Sequence, residues 1–201
     1  MQDEGIHKAE QRIRCAYVAL AKSSPKGSVS VSAVCREAGV SRTTFYSYYQ
    51  SVDTLRSSIE YEVMLEGRRI FRDFEYLDLD RVLSRSRPIP MFEQVYDYVY
   101  RNWDVFQLLV AESDDDAFRS EWGSQIETTL LARLDEGFDP KDVPLVTSLC
   151  RGCFEGLTWD WFSGRIDATP RQMAEATTKA FAGVLRAFRV SGQPRFPVTR
   201  N

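Results

Sequence analysis

The chain has 201 residues, of which 43% are hydrophobic, 27% charged and 12% aromatic. This composition is ordinary for a soluble globular protein, and a chain of this length can bury a core without disulfide staples. The formal net charge is −3, yet residues 1–60 carry eight Lys and Arg against six Asp and Glu, whereas the remainder carries eighteen against twenty-three. This distribution weakly favours a nucleic acid as the partner of the N-terminal part.

Neither a membrane span nor a secretory signal is expected. The partly apolar stretch Ile13–Ala21 follows Arg12, contains Arg14 and is followed by Lys22. These charges argue against a signal peptide, and no run of about 18 apolar residues occurs. We therefore expect a cytoplasmic protein, in which the cysteines are reduced thiols.

The first part of the chain predicts three helices and a longer fourth one, over residues 5–23, 31–38, 42–48 and about 51–75. Apolar residues recur at helical spacing in these stretches. Three serines are placed to cap the helices that follow the first: Ser30, Ser41 and Ser51. Gly39 stands where a helix ends on a left-handed residue.

The rest of the chain also predicts helices, at about 89–101, 103–112, 115–136, 143–164 and 170–190. Breaks rich in Pro, Gly or Asp separate them. Thr169 before Pro170 fits an N-cap followed by proline in the first helical position. Because no segment alternates with a period of two, no sheet is expected and the predicted fold class is all-α.

Residues 30–49 hold the pattern that indicates function. Two short helices are joined by a tight turn at Gly39, and the apolar Val40 can fill the gap between them. This is the helix-turn-helix arrangement, whose second helix enters the major groove of DNA. Phe45 and Tyr49 face inward, while the outer face carries hydroxyls and one guanidinium, which suit phosphate oxygens and base edges.

The run Ala38–Tyr49, read as AGVSRTTFYSYY and followed by Ser51 and Leu55, resembles the signature of the TetR family of transcription regulators. The match covers about residues 8–60. One departure is Val52, where the family often has Lys. The resemblance implies an all-helical homodimer that binds DNA through its N-terminal helix-turn-helix and regulates transcription.

The resemblance also implies a set of DNA-contacting residues. Three match family positions that contact phosphates: Thr44, Tyr46 and Tyr48. Three match the variable positions that read bases: Arg42, Thr43 and Ser47. Ser32 matches a position that often touches the DNA backbone or a base. Because Val52 removes one phosphate contact, affinity for DNA would be modest or would depend on Lys26 and the first helix.

Dimerisation through the last two helices is a further implication, since these form a four-helix bundle across a twofold axis in the family. The interface candidates are Cys153, Leu157, Trp161, Phe181, Val184 and Phe188. Small residues, such as Gly152 and Gly156, would allow close approach. A twofold dimer matches a palindromic operator. Alternatively, these residues are the core of a single chain.

In the family the middle of the chain encloses a small effector. The candidate lining residues here are Tyr96, Tyr100, Trp103, Phe106, Trp122 and Trp159. An aromatic lining favours an apolar or aromatic ligand, although plain core packing explains each single aromatic as well. The identity and the existence of an effector stay open.

Cys150 and Cys153 form a C-x-x-C pair on one helical face, which could ligate a metal or act as a redox switch. No partner ligand is evident, because His7 is the single histidine and lies far away in the sequence. Two buried small side chains are the favoured interpretation, and no metal or cofactor is expected. Without a catalytic triad, a P-loop or a dinucleotide fingerprint, an enzyme is not expected either.

These observations predict a helix-turn-helix DNA-binding domain over residues 1–51 and a helical ligand-binding and dimerisation domain over residues 52–201. The predicted function is sequence-specific regulation of transcription, as a repressor that a small effector releases. The alternative is a relative that no longer binds DNA and acts as a protein-interaction module. The valine at position 52 and the acidic charge keep that alternative open.

Overall fold

The computed structural model describes residues 2–25, 27–72, 88–112, 117–131, 134 and 137–189. Over these ranges it is helical, with an isolated bridge between Phe138 and Arg189 as its single β contact. The helices are α1 (Gln2–Lys22), α2 (Val31–Ala38), α3 (Arg42–Tyr46), α4 (Val52–Arg72), α5 (Pro90–Arg101), α6 (Trp103–Glu112), α7 (Ala117–Leu131), α8 (Val143–Phe162) and α9 (Pro170–Phe188). The predicted all-α class is confirmed.

The predicted caps are present. Ser30 accepts from the backbone N–H of Ala33 at 3.2 Å, and Ser51 accepts from that of Thr54 at 3.1 Å. Thr169 forms a reciprocal capping box with Gln172. These side chains satisfy N–H groups that a helix start leaves without an intrahelical partner.

The helices α3 and α8 end two residues earlier than predicted. The helix α3 ends at Tyr46 rather than at residue 48, because the N–H of Tyr48 bonds to the carbonyl of Phe45, three residues back. The helix α8 ends at Phe162, since Gly164 has a positive φ of 74°. Residues 73–75 and 113–116, and most of 132–136, lie outside the described residues.

The first compact unit comprises residues 1–66 and 101–118. One apolar core fills it: Ile13, Ala16, Tyr17, Ala21, Val34, Cys35, Ala38, Phe45, Tyr49, Leu55, Ile59 and Leu108. Side chains from α1, α2, α3, α4 and α6 therefore share this core. Lys22 of α1 also pairs with Asp104 of α6 at 2.5 Å.

The second compact unit comprises residues 67–100 and 119–201. Its core is aromatic, with Phe92 packed against Phe181 at a ring-centroid distance of 4.8 Å and against Phe154 at 6.3 Å. The buried Tyr96 hydroxyl lies 2.7 Å from the Thr177 hydroxyl and 3.4 Å from that of Thr158. Burial of its polar atom is thus compensated by hydrogen bonds.

The predicted functional boundary after residue 51 falls inside the first unit and stays a prediction. Among the helices that the structure describes, none is both long enough and apolar enough to cross a membrane.

Candidate nucleic-acid interface

The turn between α2 and α3 has the geometry that the helix-turn-helix pattern predicts. Gly39 adopts φ 62° and ψ 42°, the left-handed conformation, and its N–H bonds back to carbonyls of α2. A side chain with a Cβ would be strained there. Val40 packs partly buried against the core of the first unit. The turn therefore fixes the direction in which α3 leaves α2.

A polar cap and a buried aromatic hold the short helix α3 in place. The Ser41 hydroxyl accepts from the Thr44 N–H at 3.0 Å and lies 2.8 Å from the Thr44 hydroxyl. Phe45 is fully buried, and its ring lies 5.9 Å from that of Tyr49. With this side anchored inward, the opposite side of α3 faces out.

The structure places all seven predicted DNA-contacting side chains at least partly at the surface of the first unit. Five are exposed: Ser32, Arg42, Thr43, Tyr46 and Ser47. Two are half-buried: Thr44 and Tyr48. Their roles in binding stay predictions.

Tyr46 is a large aromatic side chain among these seven. Its ring meets the buried Phe45 edge-on, with centroids 5.6 Å apart and planes at 88°. The residue is nevertheless 55% exposed. One part of the ring is therefore held by an aromatic contact, and the residue still offers a large surface to a partner.

One contact in this surface could not be predicted from the sequence. The Arg42 guanidinium donates from Nη2 to the Ser32 hydroxyl of α2 at 2.5 Å. The two residues are ten positions apart on different helices, and neither spacing nor composition indicates that they meet. Both residues were predicted from the sequence to contact DNA, but no contact between them was predicted.

Two polar contacts link α1 to the elements around the turn. Arg14 donates to both carboxylate oxygens of Glu62 in α4. The Tyr49 hydroxyl donates to Glu10 at 3.0 Å, and burial raises the pKa of Tyr49 above its ordinary value of 10.0. The tyrosine therefore stays a neutral donor at physiological pH.

Solved structures with the same fold are known. A TetR transcriptional regulator from Streptococcus agalactiae is 19% identical and superposes with a TM-score of 0.58 over 90% of this chain and 97% of that one. SmeT, described as the repressor of the Stenotrophomonas maltophilia multidrug efflux pump SmeDEF, is 13% identical, with a TM-score of 0.59 over 91% of each chain. A complex of SmeT with triclosan gives 0.60 over 94% of this chain and 99% of that one, at 13% identity.

This chain has the TetR fold. The resemblance predicted from the AGVSRTTFYSYY run is thereby confirmed at the level of the fold. No family model matches the sequence, and no curated protein matches it significantly.

Within the TetR fold, the predicted effector-contacting aromatics are divided between the two units. Trp103 and Phe106 belong to the first unit, where Phe106 packs against Phe118 at 5.9 Å. The other four belong to the second unit: Tyr96, Tyr100, Trp122 and Trp159. Three of these four are buried, and Tyr100 is exposed. Whether they bind a ligand stays a prediction.

The interface candidates on α8 and α9 fall into two groups. Phe181 is fully buried against Phe92, and Trp161 is buried with its Nε1 donating to the Ala168 carbonyl at 2.8 Å. Both are core residues of the single chain, because their side chains are already enclosed. The half-buried candidates are Cys153, Leu157, Val184 and Phe188. The dimer prediction therefore depends on this second group.

The C-x-x-C pair consists of free thiols. Cys150 is fully buried, and burial, together with the neighbouring Cys153, raises the pKa of its thiol to about 12. A thiol with so high a pKa is a poor nucleophile at neutral pH, since the thiolate is the reactive form. Packing is the interpretation that these facts favour.

Proposed function

We propose that the chain is a sequence-specific DNA-binding regulator of transcription that acts as a homodimer. The observation that carries this proposal is the outer face of α3. Arg42, Thr43 and Tyr46 are exposed there, as is Ser47 directly after the helix, and Phe45 anchors the opposite side. Such a face offers donors to phosphate and base edges and no carboxylate that would repel DNA.

The side chains divide by chemistry into two groups. Tyr46, Thr44 and Tyr48 would contact phosphates, which position the protein without reading sequence. Arg42, Thr43 and Ser47 would face base edges. Most of the binding energy would come from the phosphate contacts, which do not depend on DNA sequence. Affinity for DNA should therefore fall steeply as the salt concentration rises.

Dimerisation would use the half-buried candidates on α8 and α9, together with exposed leucines of α8. The half-buried candidates are Cys153, Leu157, Val184 and Phe188. On α8, Leu145 is 50% exposed and Leu149 is 40% exposed. These side chains lie on the same face of α8 as Gly152 and Gly156. A Cβ added at either glycine would meet no atom within 4 Å. Such a face on one chain supports close packing of a second copy by twofold symmetry.

We further propose that the regulator is a repressor and that a small apolar or aromatic compound releases it. SmeT is described as the repressor of an efflux pump, and its structure is known in a complex with triclosan. For this chain, the proposal of an apolar or aromatic effector is supported by the many aromatic side chains of the second unit. Without effector, the two copies of α3 would be spaced for successive major grooves, about 34–36 Å apart.

Effector binding would shift α4, whose residues 52–66 belong to the first unit and 67–72 to the second. This shift would move the two copies of α3 in the dimer apart. A coupling of about 1–3 kcal/mol is needed, which corresponds to a five- to 150-fold loss of affinity. If the compound that relieves repression in cells leaves operator affinity unchanged in vitro, this mechanism is wrong.

The test of DNA binding is a selection of genomic fragments by the purified full chain, with the stoichiometry measured on the enriched site. We expect one palindromic site that binds two chains. A folded protein that enriches no site would contradict the proposal and favour the protein-interaction module instead. In that case, protein partners rather than DNA would be the next object of search.

A further inference from the structure

We propose that Ser32 and Arg42 form a single base-reading unit, in which the Ser32 hydroxyl orients the Arg42 guanidinium toward a guanine in each half-site. The inference rests on the proposed DNA-binding function and adds to it a positioning residue and a base preference. Its starting point is the hydrogen bond from Arg42 Nη2 to Ser32 Oγ, 2.5 Å long.

The fold does not need this hydrogen bond. Packing of α2 against α3 is already secured by buried side chains, among them Val34, Cys35 and Phe45. The helix caps are other residues, Ser30 for α2 and Ser41 for α3. Both Ser32 and Arg42 are exposed, and an exposed hydrogen bond adds little to stability because water competes for both partners.

The charge of Arg42 remains available to a ligand. Its partner here is an uncharged hydroxyl, whereas Arg14 in the same unit is neutralised by the two carboxylate oxygens of Glu62. A guanidinium has five N–H donors, and this contact uses one of them. The Ser32 hydroxyl accepts in this bond and can still donate its own proton.

The position of Arg42 suits a base contact. It is the first residue of α3, and the N-terminal residues of a recognition helix are those that reach base edges. Two parallel N–H donors match O6 and N7 of guanine, which is the commonest specific contact of arginine in the major groove. Holding one Nη before DNA arrives reduces the side-chain freedom that binding must remove.

The experiment measures affinities of the full chain for its selected site and for sites with each base pair changed in turn. The variants are Ser32→Ala, Ser32→Thr, Arg42→Ala and the Ser32→Ala/Arg42→Ala double variant. Arg42→Ala should abolish a preference for guanine at one position, a loss of roughly five- to 150-fold. Ser32→Ala should weaken that same preference by about two- to tenfold and leave the other positions unchanged.

Two comparisons separate positioning from a merely structural role. Ser32→Thr keeps a hydroxyl and should restore the preference, and Ser32→Ala should have no further effect when Arg42 is already alanine. Ser47→Ala is the matched control, because the Ser47 hydroxyl donates to the Thr44 carbonyl rather than meeting Arg42. Its effect should add to that of Arg42→Ala.

The inference is overturned if Ser32→Ala weakens all sites equally, if it acts independently of Arg42, or if the position lost in Arg42→Ala does not prefer guanine. In these cases the wild-type chain still selects its site, so the proposed function stands. A wild-type chain that selects no site overturns the proposed function, and this inference with it.

Discussion

Arg14 of α1 and Glu62 of α4 form a bidentate ion pair, with Nη1 2.6 Å from Oε1 and Nη2 2.5 Å from Oε2. Arg14 Nη1 also lies 3.4 Å from the Ser58 hydroxyl. Two parallel hydrogen bonds fix both the distance and the plane of the guanidinium. The pair therefore ties the first helix to the helix that follows the helix-turn-helix, within the first compact unit.

Loss of this pair should lower stability modestly. The Arg14 side chain is 19% exposed and that of Glu62 is 55% exposed, so solvent screens part of the attraction. We expect Arg14→Ala to lower the free energy of unfolding by about 1 kcal/mol in urea titrations, and less at high salt. Arg12→Ala, an exposed site on the same helix, is the control and should change it by less than about 0.5 kcal/mol. Equal effects of the two substitutions would speak against the pair.

Tyr46→Phe removes one hydroxyl from the outer face of α3 while keeping the ring contact with Phe45. Because phosphate contacts are independent of sequence, we expect affinity for the selected site and for scrambled DNA to fall by the same factor, about two- to tenfold. Tyr61→Phe is the matched control, since Tyr61 is similarly exposed but lies in α4. A loss confined to the selected site would assign Tyr46 to base reading instead.

Gly156→Leu tests the dimer face without disturbing the fold of the single chain. A Cβ at this position meets nothing within 4 Å, so the chain itself has room for it. A leucine would nevertheless hold a second copy away, and we expect sedimentation to show monomers. Gln94→Leu adds the same side chain at an exposed position of α5 and should leave the dimer intact. A dimer that survives Gly156→Leu would move the interface elsewhere.

Stability should decline at alkaline pH through Cys150. Burial raises the pKa of this thiol from 9.0 to about 12, so the folded protein keeps a proton that the unfolded chain releases. The protonated thiol contributes fully to the free energy of unfolding below pH 9, and this contribution is lost as pH rises toward 12. The free energy of unfolding then falls by up to about 1.4 kcal/mol per pH unit. Tyr96, whose pKa burial also raises, adds to the decline above pH 10.

Cys150→Ala isolates the thiol from the other groups that titrate in this range. Unfolding by urea under reducing conditions, at several pH values from 8 to about 10.5, should give a shallower decline for the variant than for the wild-type chain. Parallel declines would show that the buried thiol does not hold its proton in the folded state.

The helix caps and the glycine turn after α2 were predictable because their signals are local. Ser30, Gly39 and Thr169 act on atoms within four residues of themselves. The start of α6 at Trp103 is also the one predicted.

Contacts between distant segments could not be predicted in this way. Leu108 belongs to the core of the first unit, and nothing in its sequence surroundings indicates that. Phe181 was a candidate for the dimer interface, yet it lies inside the second unit against Phe92. When a helix has apolar residues on two sides, their spacing does not indicate which side packs in the core of its own chain and which side is left for a partner. The hydrogen bond between Ser32 and Arg42 is a third example, because it depends on how α2 crosses α3.

The most direct test of the account is a titration of the purified protein with its selected site and with scrambled DNA, at about 50 and 200 mM salt. We predict tight binding to the selected site, weaker binding to scrambled DNA, and a loss of affinity with salt equivalent to several phosphate contacts per dimer. A folded protein that binds both DNAs equally weakly, or whose affinity does not change with salt, would contradict the claim that the outer face of α3 recognises an operator.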